Sequence, residues 1–284
     1  MDPAECVVWW AEPDPDAVAR AWLDGAERAR YERYRRPADQ ARFATARALA
    51  RGVLAARLEV APGDVRFDTT CRLCGCDRGK PRVLGGPADL DFSISHAGER
   101  VVLAVIEGAE VGVDVERIAT VEGTLSAAEL AAQARLPTRS RAVDAITRWT
   151  RKEALLKVYG LGLTVDPRTL TVSGAGEPPR LLDWPDPPST VPAAGDSGGA
   201  WADPESRHPH REQEAVRMYD LTPGVGYAAT VALRGLGRYA VVERWAGVSP
   251  TRETGSEQGV HPDPERGSER GSPAGSDARA ADGQ

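Results

Sequence analysis

No stretch of the 284-residue chain approaches the ~20 consecutive apolar residues a membrane helix needs, so no spanning segment is expected. The first residues, Met1-Asp2-Pro3-Ala4-Glu5, lack a basic segment followed by a long apolar run, and no secretory leader is expected either. Positive charge is not in excess. The 36 Lys and Arg face 42 Asp and Glu, a net charge of −6, which argues against a general nucleic-acid binder but leaves room for anions where basic residues cluster. Cysteine is scarce and local: of four, Cys71, Cys74 and Cys76 lie too close together for a disulfide framework, which points to a cytoplasmic chain. No internal repeat is evident. Glycine and proline, at 29 and 22, are plentiful, and two stretches concentrate them. From 248 to 284 only Val248 and Val260 are aliphatic residues larger than alanine, too few to offset the entropy of ordering, so a disordered tail is expected. Residues 183–213 read as a flexible surface insertion between strands.

Between these stretches helical and strand patterns alternate. Phe43, Ala46, Ala50, Val53 and Leu54 recur at helical spacing and predict a helix over 38–58. Residues 91–96, 100–106 and 110–116 read as three strands, joined by connections short enough for antiparallel hairpins. A short helix is expected over 127–135, stopped by Pro137, and a long one over 140–159, ended by Gly160. Later strands are expected at 170–173, 215–221, 226–233 and 238–245. Strands in runs broken by helices indicate an α+β architecture.

Three constellations could carry chemistry. In Gly112-Val113-Asp114-Val115-Glu116, strand alternation puts the valines on one face and Asp114 and Glu116 on the other. Two adjacent carboxylates repel unless a cation lies between them, and hard oxygens suit Mg²⁺; a solvated acidic face is the plainer alternative. On the long helix, Trp149, Glu153 and Lys157 follow at i, i+4 and i+8 and form one ridge, with Lys152 beside it; an exposed Glu-to-Lys pair is the plainer alternative. In Phe92-Ser93-Ile94-Ser95-His96, Phe92 and Ile94 face the core and the serines the other side. Adjacent Ser95 and His96 invite a hydrolase reading only weakly, since neighbours in a strand point apart, and a histidine at a strand end is equally good as a phosphate ligand. Cys71, Cys74 and Cys76 offer three thiols where structural zinc needs four ligands, and no second Cys-x-x-Cys exists.

In order and spacing, Gly79-Lys80-Pro81, FSISHAG (92–98), GVDVE (112–116) and WTRKEALLK (149–157) followed by GLGL (160–163) resemble the Sfp-type 4′-phosphopantetheinyl transferases, in particular actinobacterial members, over roughly residues 20 to 245. The resemblance implies two similar α/β subdomains related by a pseudo-twofold axis, placed at 1–106 and 107–247, with coenzyme A and Mg²⁺ between them. It implies transfer of phosphopantetheine from coenzyme A to a serine hydroxyl of an apo acyl or peptidyl carrier protein, releasing 3′,5′-ADP. Position by position, Asp114, Glu116 and Glu153 match the Mg²⁺ ligands, Glu153 also the base, and Lys157 the lysine at the departing phosphate. Lys152 matches a pyrophosphate-binding neighbour, Ser95 and His96 contacts to the nucleotide phosphates, and Lys80 a residue beside the adenine nucleotide. Arg30 and Arg42 fall where the family places cations near the 3′-phosphate, while a further family lysine falls at Glu27. A soluble monomer is implied, with no nucleic acid or membrane as partner. The rival class is a non-catalytic coenzyme A or nucleotide-binding regulator.

Overall fold

The structure, a computed structural model, describes residues 3–15, 22–71, 75–77, 79–185, 216–246 and 257–261. In chain order the elements are β1 (Ala4–Ala11), α1 (Gly25–Arg33), α2 (Pro37–Leu58), the short β2 (Phe67–Asp68) and β3 (Arg82–Val83), β4 (Leu90–Ala97), β5 (Arg100–Glu107) and β6 (Glu110–Arg117). There follow α3 (Ala127–Ala134), α4 (Thr138–Val158), β7 (Thr171–Val172), β8 (Leu181–Asp183), β9 (Val216–Asp220), β10 (Tyr227–Arg234), β11 (Tyr239–Trp245) and β12 (Glu257–His261). The architecture is mixed α+β.

Alternation along the strands builds the layers. β5 is apolar on both faces, the mark of a strand covered on both sides. Its Val102, Ala104 and Ile106 meet Val111, Val113 and Val115 of β6 and Cys6, Val8 and Trp10 of β1 in one shared core. Its Leu103 and Val105 face the other way, onto Ala50, Leu54 and Ala55 of α2. β6 turns its second face to α4, where Ala154 and Val158 pack on Ala232 and Met218 of the same sheet. The order through the molecule is therefore α2, a five-stranded sheet β12-β11-β1-β5-β4, a three-stranded sheet β6-β10-β9, and α4. α4 begins at Thr138, directly after Pro137, and ends before Gly160, whose φ of +66° an L side chain would resist.

Two findings bear on the expected boundaries. Residues 238–245 were assigned to the C-terminal half, but β11 joins the first sheet, parallel to β1 from Ala4↔Tyr239 to Trp10↔Trp245. The reason is long-range: Trp10 stacks on Trp245 at 6.0 Å and donates its indole N–H to the buried Glu243 at 2.7 Å, and no local pattern announces such a partner. Within the segment expected to be wholly disordered, 257–261 forms β12, antiparallel to β11. A free sheet edge recruits a strand through backbone groups, which a count of apolar side chains does not register. The remainder of 248–284, and the insertion from 186 to 213, lie outside the described residues.

Candidate active site

The ridge of α4 lies on the polar face of β6. Four residues of helix rise about 6 Å and two residues of strand about 6.6 Å, so an i, i+4, i+8 ridge keeps step with an i, i+2, i+4 strand face. The two run in opposite directions. Trp149 donates its indole N–H to Glu116, and one end further Lys157 Nζ donates to Asp114 Oδ1 at 2.7 Å and to the Val113 carbonyl at 3.0 Å. Gly112 makes the approach possible. A Cβ there would stand 2.0 Å from the Ala154 carbonyl and 2.6 Å from Val158 N, so any side chain would push the helix off the strand. Neither Gly112 nor Trp149 was named as a site residue from sequence; the helix-contacting role of the glycine shows only once its neighbour is known.

β4 is stitched to β6 by side chains at two-residue spacing. Asp91 accepts from Val111 N at 2.8 Å, Ser93 Oγ accepts from Val113 N at 3.0 Å, and Ser95 Oγ donates to Asp114 Oδ1 at 2.7 Å. Phe92 and Ile94, on the opposite face, pack beneath α2 as the alternation predicts. At the end of β4, His96 feels the cations Lys157, Arg42 and Arg30. Arg42 reaches there from α2, donating to the Gly98 carbonyl at 3.0 Å and pairing with Asp39, and Arg30 stands over the Phe43 ring at 5.5 Å.

The charges at this seam are strained. Burial, then Asp114 and Glu153, push the Glu116 carboxyl up to about 7, against the pull of Lys157 and Trp149. Burial and Asp114 also raise Glu153, with Lys157 opposing. His96 is held down at about 4, chiefly by the protein packed around it and then by the three cations. The residue nonetheless keeps solvent contact, and water at its ring offsets part of the shift. It is neutral at pH 7.

Several expected residues sit elsewhere in the scheme. Lys152 is fully buried, and its three donors go to Glu129 Oε2 at 2.5 Å, the Thr124 carbonyl at 2.8 Å and the Pro167 carbonyl at 2.9 Å. This corrects the pyrophosphate assignment: the ammonium has no donor left to offer. Burial lowers its pKa, and the bond from Glu129 opposes that. Lys80 is paired with Asp91, five residues from His96 along β4, roughly 16 Å on strand geometry. Glu27, where the resemblance leads one to expect a lysine, forms a capping box with Asp24 and turns inward to Arg51 and Arg47 at 2.8 and 3.3 Å. Cys74 lies outside the described residues; Cys71 is buried and Cys76 exposed.

Among the described residues, no three His, Cys, Asp or Glu side chains form a ready-made metal cage. The donor set at the seam nevertheless fits a hard divalent cation. Asp114 Oδ2 is buried without a hydrogen-bond partner, and two further carboxyls are disfavoured as anions by burial and by one another. Mg²⁺ takes only a few protein carboxylates and completes its shell with water and substrate phosphate, so a complete protein cage is not required.

Comparison with known proteins points to one enzyme class. Residues 110–194, which include β6, α3 and α4, match the model of the 4′-phosphopantetheinyl transferase superfamily. The chain is 30% identical over 177 residues to a phosphopantetheinyl transferase of Thraustochytrium sp., covering 55% of this chain and 59% of that protein. It is 31% identical over 153 residues to the 4′-phosphopantetheinyl transferase HetI of Nostoc sp., covering 50% of this chain and 62% of the relative. The matches thus span less than two thirds of either relative's length, and they support kinship with this enzyme class. Among the described residues no helix is long and apolar enough to cross a membrane.

Proposed function

We propose that the chain is a Mg²⁺-dependent 4′-phosphopantetheinyl transferase of the Sfp type, which modifies a serine of an apo acyl or peptidyl carrier protein with the phosphopantetheine of coenzyme A. The observation that carries the reading is the seam of β6 and α4, where Asp114, Glu116, Glu153 and Lys157 meet beside the cation-ringed His96. Mg²⁺ held by Asp114, Glu116 and Glu153 would offset the charge of the pyrophosphate. Glu153, raised by burial, is suited to accept the proton of the serine hydroxyl. The serine oxygen then bonds to the pantetheine-side phosphorus as the bond to 3′,5′-ADP breaks. Lys157 has two of its three donors engaged, so one remains for the phosphate that departs. His96, Arg30 and Arg42 supply the surroundings of an anionic nucleotide.

The two sheets, each backed by one long helix, support a pseudo-twofold arrangement, and one chain supplying both sides of the seam supports a monomer. The test is to incubate the protein with candidate apo-carriers, coenzyme A and Mg²⁺ and to weigh the carriers. A mass gain equal to phosphopantetheine is expected. A protein that binds coenzyme A yet modifies no carrier would instead be a coenzyme A-binding regulator.

A further inference from the structure

Asp114 is gripped by one oxygen only. Its Oδ1 accepts from Lys157 Nζ and from Ser95 Oγ, both at 2.7 Å, while Oδ2 is buried and has no hydrogen-bond partner among the described residues. The two donors come from α4, on the polar face of β6, and from β4, along its free edge, yet they converge on the same atom. Turning the carboxylate out of its present plane would break both bonds at once. Ser95 is also the odd rung of its row. Asp91 and Ser93 accept backbone N–H groups of β6, whereas Ser95 donates, and its target is the Asp114 side chain.

We propose that Ser95 is a positioning residue: its hydroxyl locks the Asp114 carboxylate by Oδ1, leaving Oδ2 as the oxygen presented to a divalent cation. This rests on the reading that Asp114 holds the metal, and gives the hydroxyl a task distinct from phosphate contact. A buried, unpartnered carboxylate oxygen costs stability until a cation reaches it, so the lock keeps a site at the ready at the expense of the metal-free fold. Lys157 grips the same oxygen but also has a place in the chemistry, so Ser95 is where positioning can be isolated.

The test is Mn²⁺ binding to the full-length protein, followed by the electron paramagnetic resonance of free Mn²⁺ with and without coenzyme A. The wild type is compared with Ser95→Ala, Ser95→Thr and Asp114→Asn, and melting in EDTA serves as the fold control. Ser95→Ala should weaken Mn²⁺ binding about 10-fold, the lower end for loss of a group that orients a ligand. Ser95→Thr should restore Mn²⁺ binding. If Ser95→Ala binds Mn²⁺ like the wild type while Asp114→Asn does not, the positioning role is wrong and the metal reading stands. If Ser95→Thr is as weak as Ser95→Ala, the hydroxyl is not the operative group and the proposal is overturned. If wild type and Asp114→Asn do not differ, the metal reading fails and takes this inference with it. Should Ser95→Ala melt early, Ser95→Cys gives the same comparison at conserved volume.

Discussion

The α1–α2 and α3–α4 helix pairs are built with the same device and closed differently. In each, a capping-box glutamate at the start of the short helix turns inward: Glu27 with Asp24, Glu129 with Ser126. Each meets a cation about two dozen residues later on the long helix, Arg51 in one pair and Lys152 in the other. A second arginine stands about one turn earlier, Arg47 at 3.3 Å from Glu27 and Arg148 at 4.0 Å from Glu129. In the second pair closure is complete. Glu129 also accepts from Val172 N at 2.8 Å, and Lys152 satisfies all three donors. In the first pair Arg51 lies over the Phe67 ring at 4.9 Å, its Nη1 2.8 Å from Glu27 but off the line of a hydrogen bond. The difference teaches how to sort the cations of one motif. Lys152 and Lys157 share a helix, and what separates scaffold from chemistry is how many acceptors each has already met.

The largest effect should come from breaking the fully closed pair. Lys152→Ala takes from the buried Glu129 its close cation, leaving Arg148 at 4.0 Å, and a loss of about 3–5 kcal/mol is expected in urea unfolding. Replacing both partners, as in Lys152→Met with Glu129→Leu, should recover much of it. Wild-type stability with lost coenzyme A affinity in Lys152→Ala would return that lysine to the phosphates. Next come the ridge residues: Glu153→Gln and Lys157→Ala should each lower turnover at least ~10²-fold, with stability kept within about 1 kcal/mol in Glu153→Gln, whereas Lys157→Ala also takes the cation from the buried Asp114 and should cost more than that. Ordinary turnover in Glu153→Gln would pass the base role to another group. In the looser pair, Glu27→Gln keeps the shape of the cap and leaves the ring contacts of Arg47 and Arg51, so about 1–2 kcal/mol is expected, less than at Lys152. A loss as large as that of Lys152→Ala would show the two devices to be equally closed.

The smallest effect is a change in pH dependence. With the Glu116 pKa raised from 4.5 to about 7, the folded protein binds that proton more tightly than the unfolded chain, so stability falls as pH rises through this window. His96, lowered from 6.5 to about 4, has the opposite sign: stability rises with pH between those values, by an amount water at its ring reduces. Metal-free Glu116→Gln should therefore gain more stability than the wild type between pH 5 and 7 in thermal melts, from about the lower to the upper end of both windows. Identical slopes would mean that the Glu116 carboxyl titrates near its ordinary value.

Much of this was legible in the chain because it is local. The alternation of β6 separates Val111, Val113 and Val115 from Asp114 and Glu116 without reference to any other element, and the period of α4 alone aligns Trp149, Glu153 and Lys157. The strands 91–96, 100–106 and 110–116 fall inside β4, β5 and β6, and the long helices agree to within a few residues. β1 and α1 were not assigned at all, and the repeated pairing of Glu27 with Arg51 and Glu129 with Lys152 is invisible as a sequence repeat, since the cations differ and only the folded partners define it.

The sequence by itself determined which residues share a face, since a backbone period of two or of 3.6 needs no partner. Only the tertiary structure decided which faces meet. Gly112 lets α4 settle onto β6 and brings Lys157 to Asp114; β11 crosses back to pair with β1; Lys152, a promising cation in the motif, is buried against Glu129. Those outcomes depend on close packing and on the satisfaction of buried charge between segments far apart in the chain, and no local pattern encodes them.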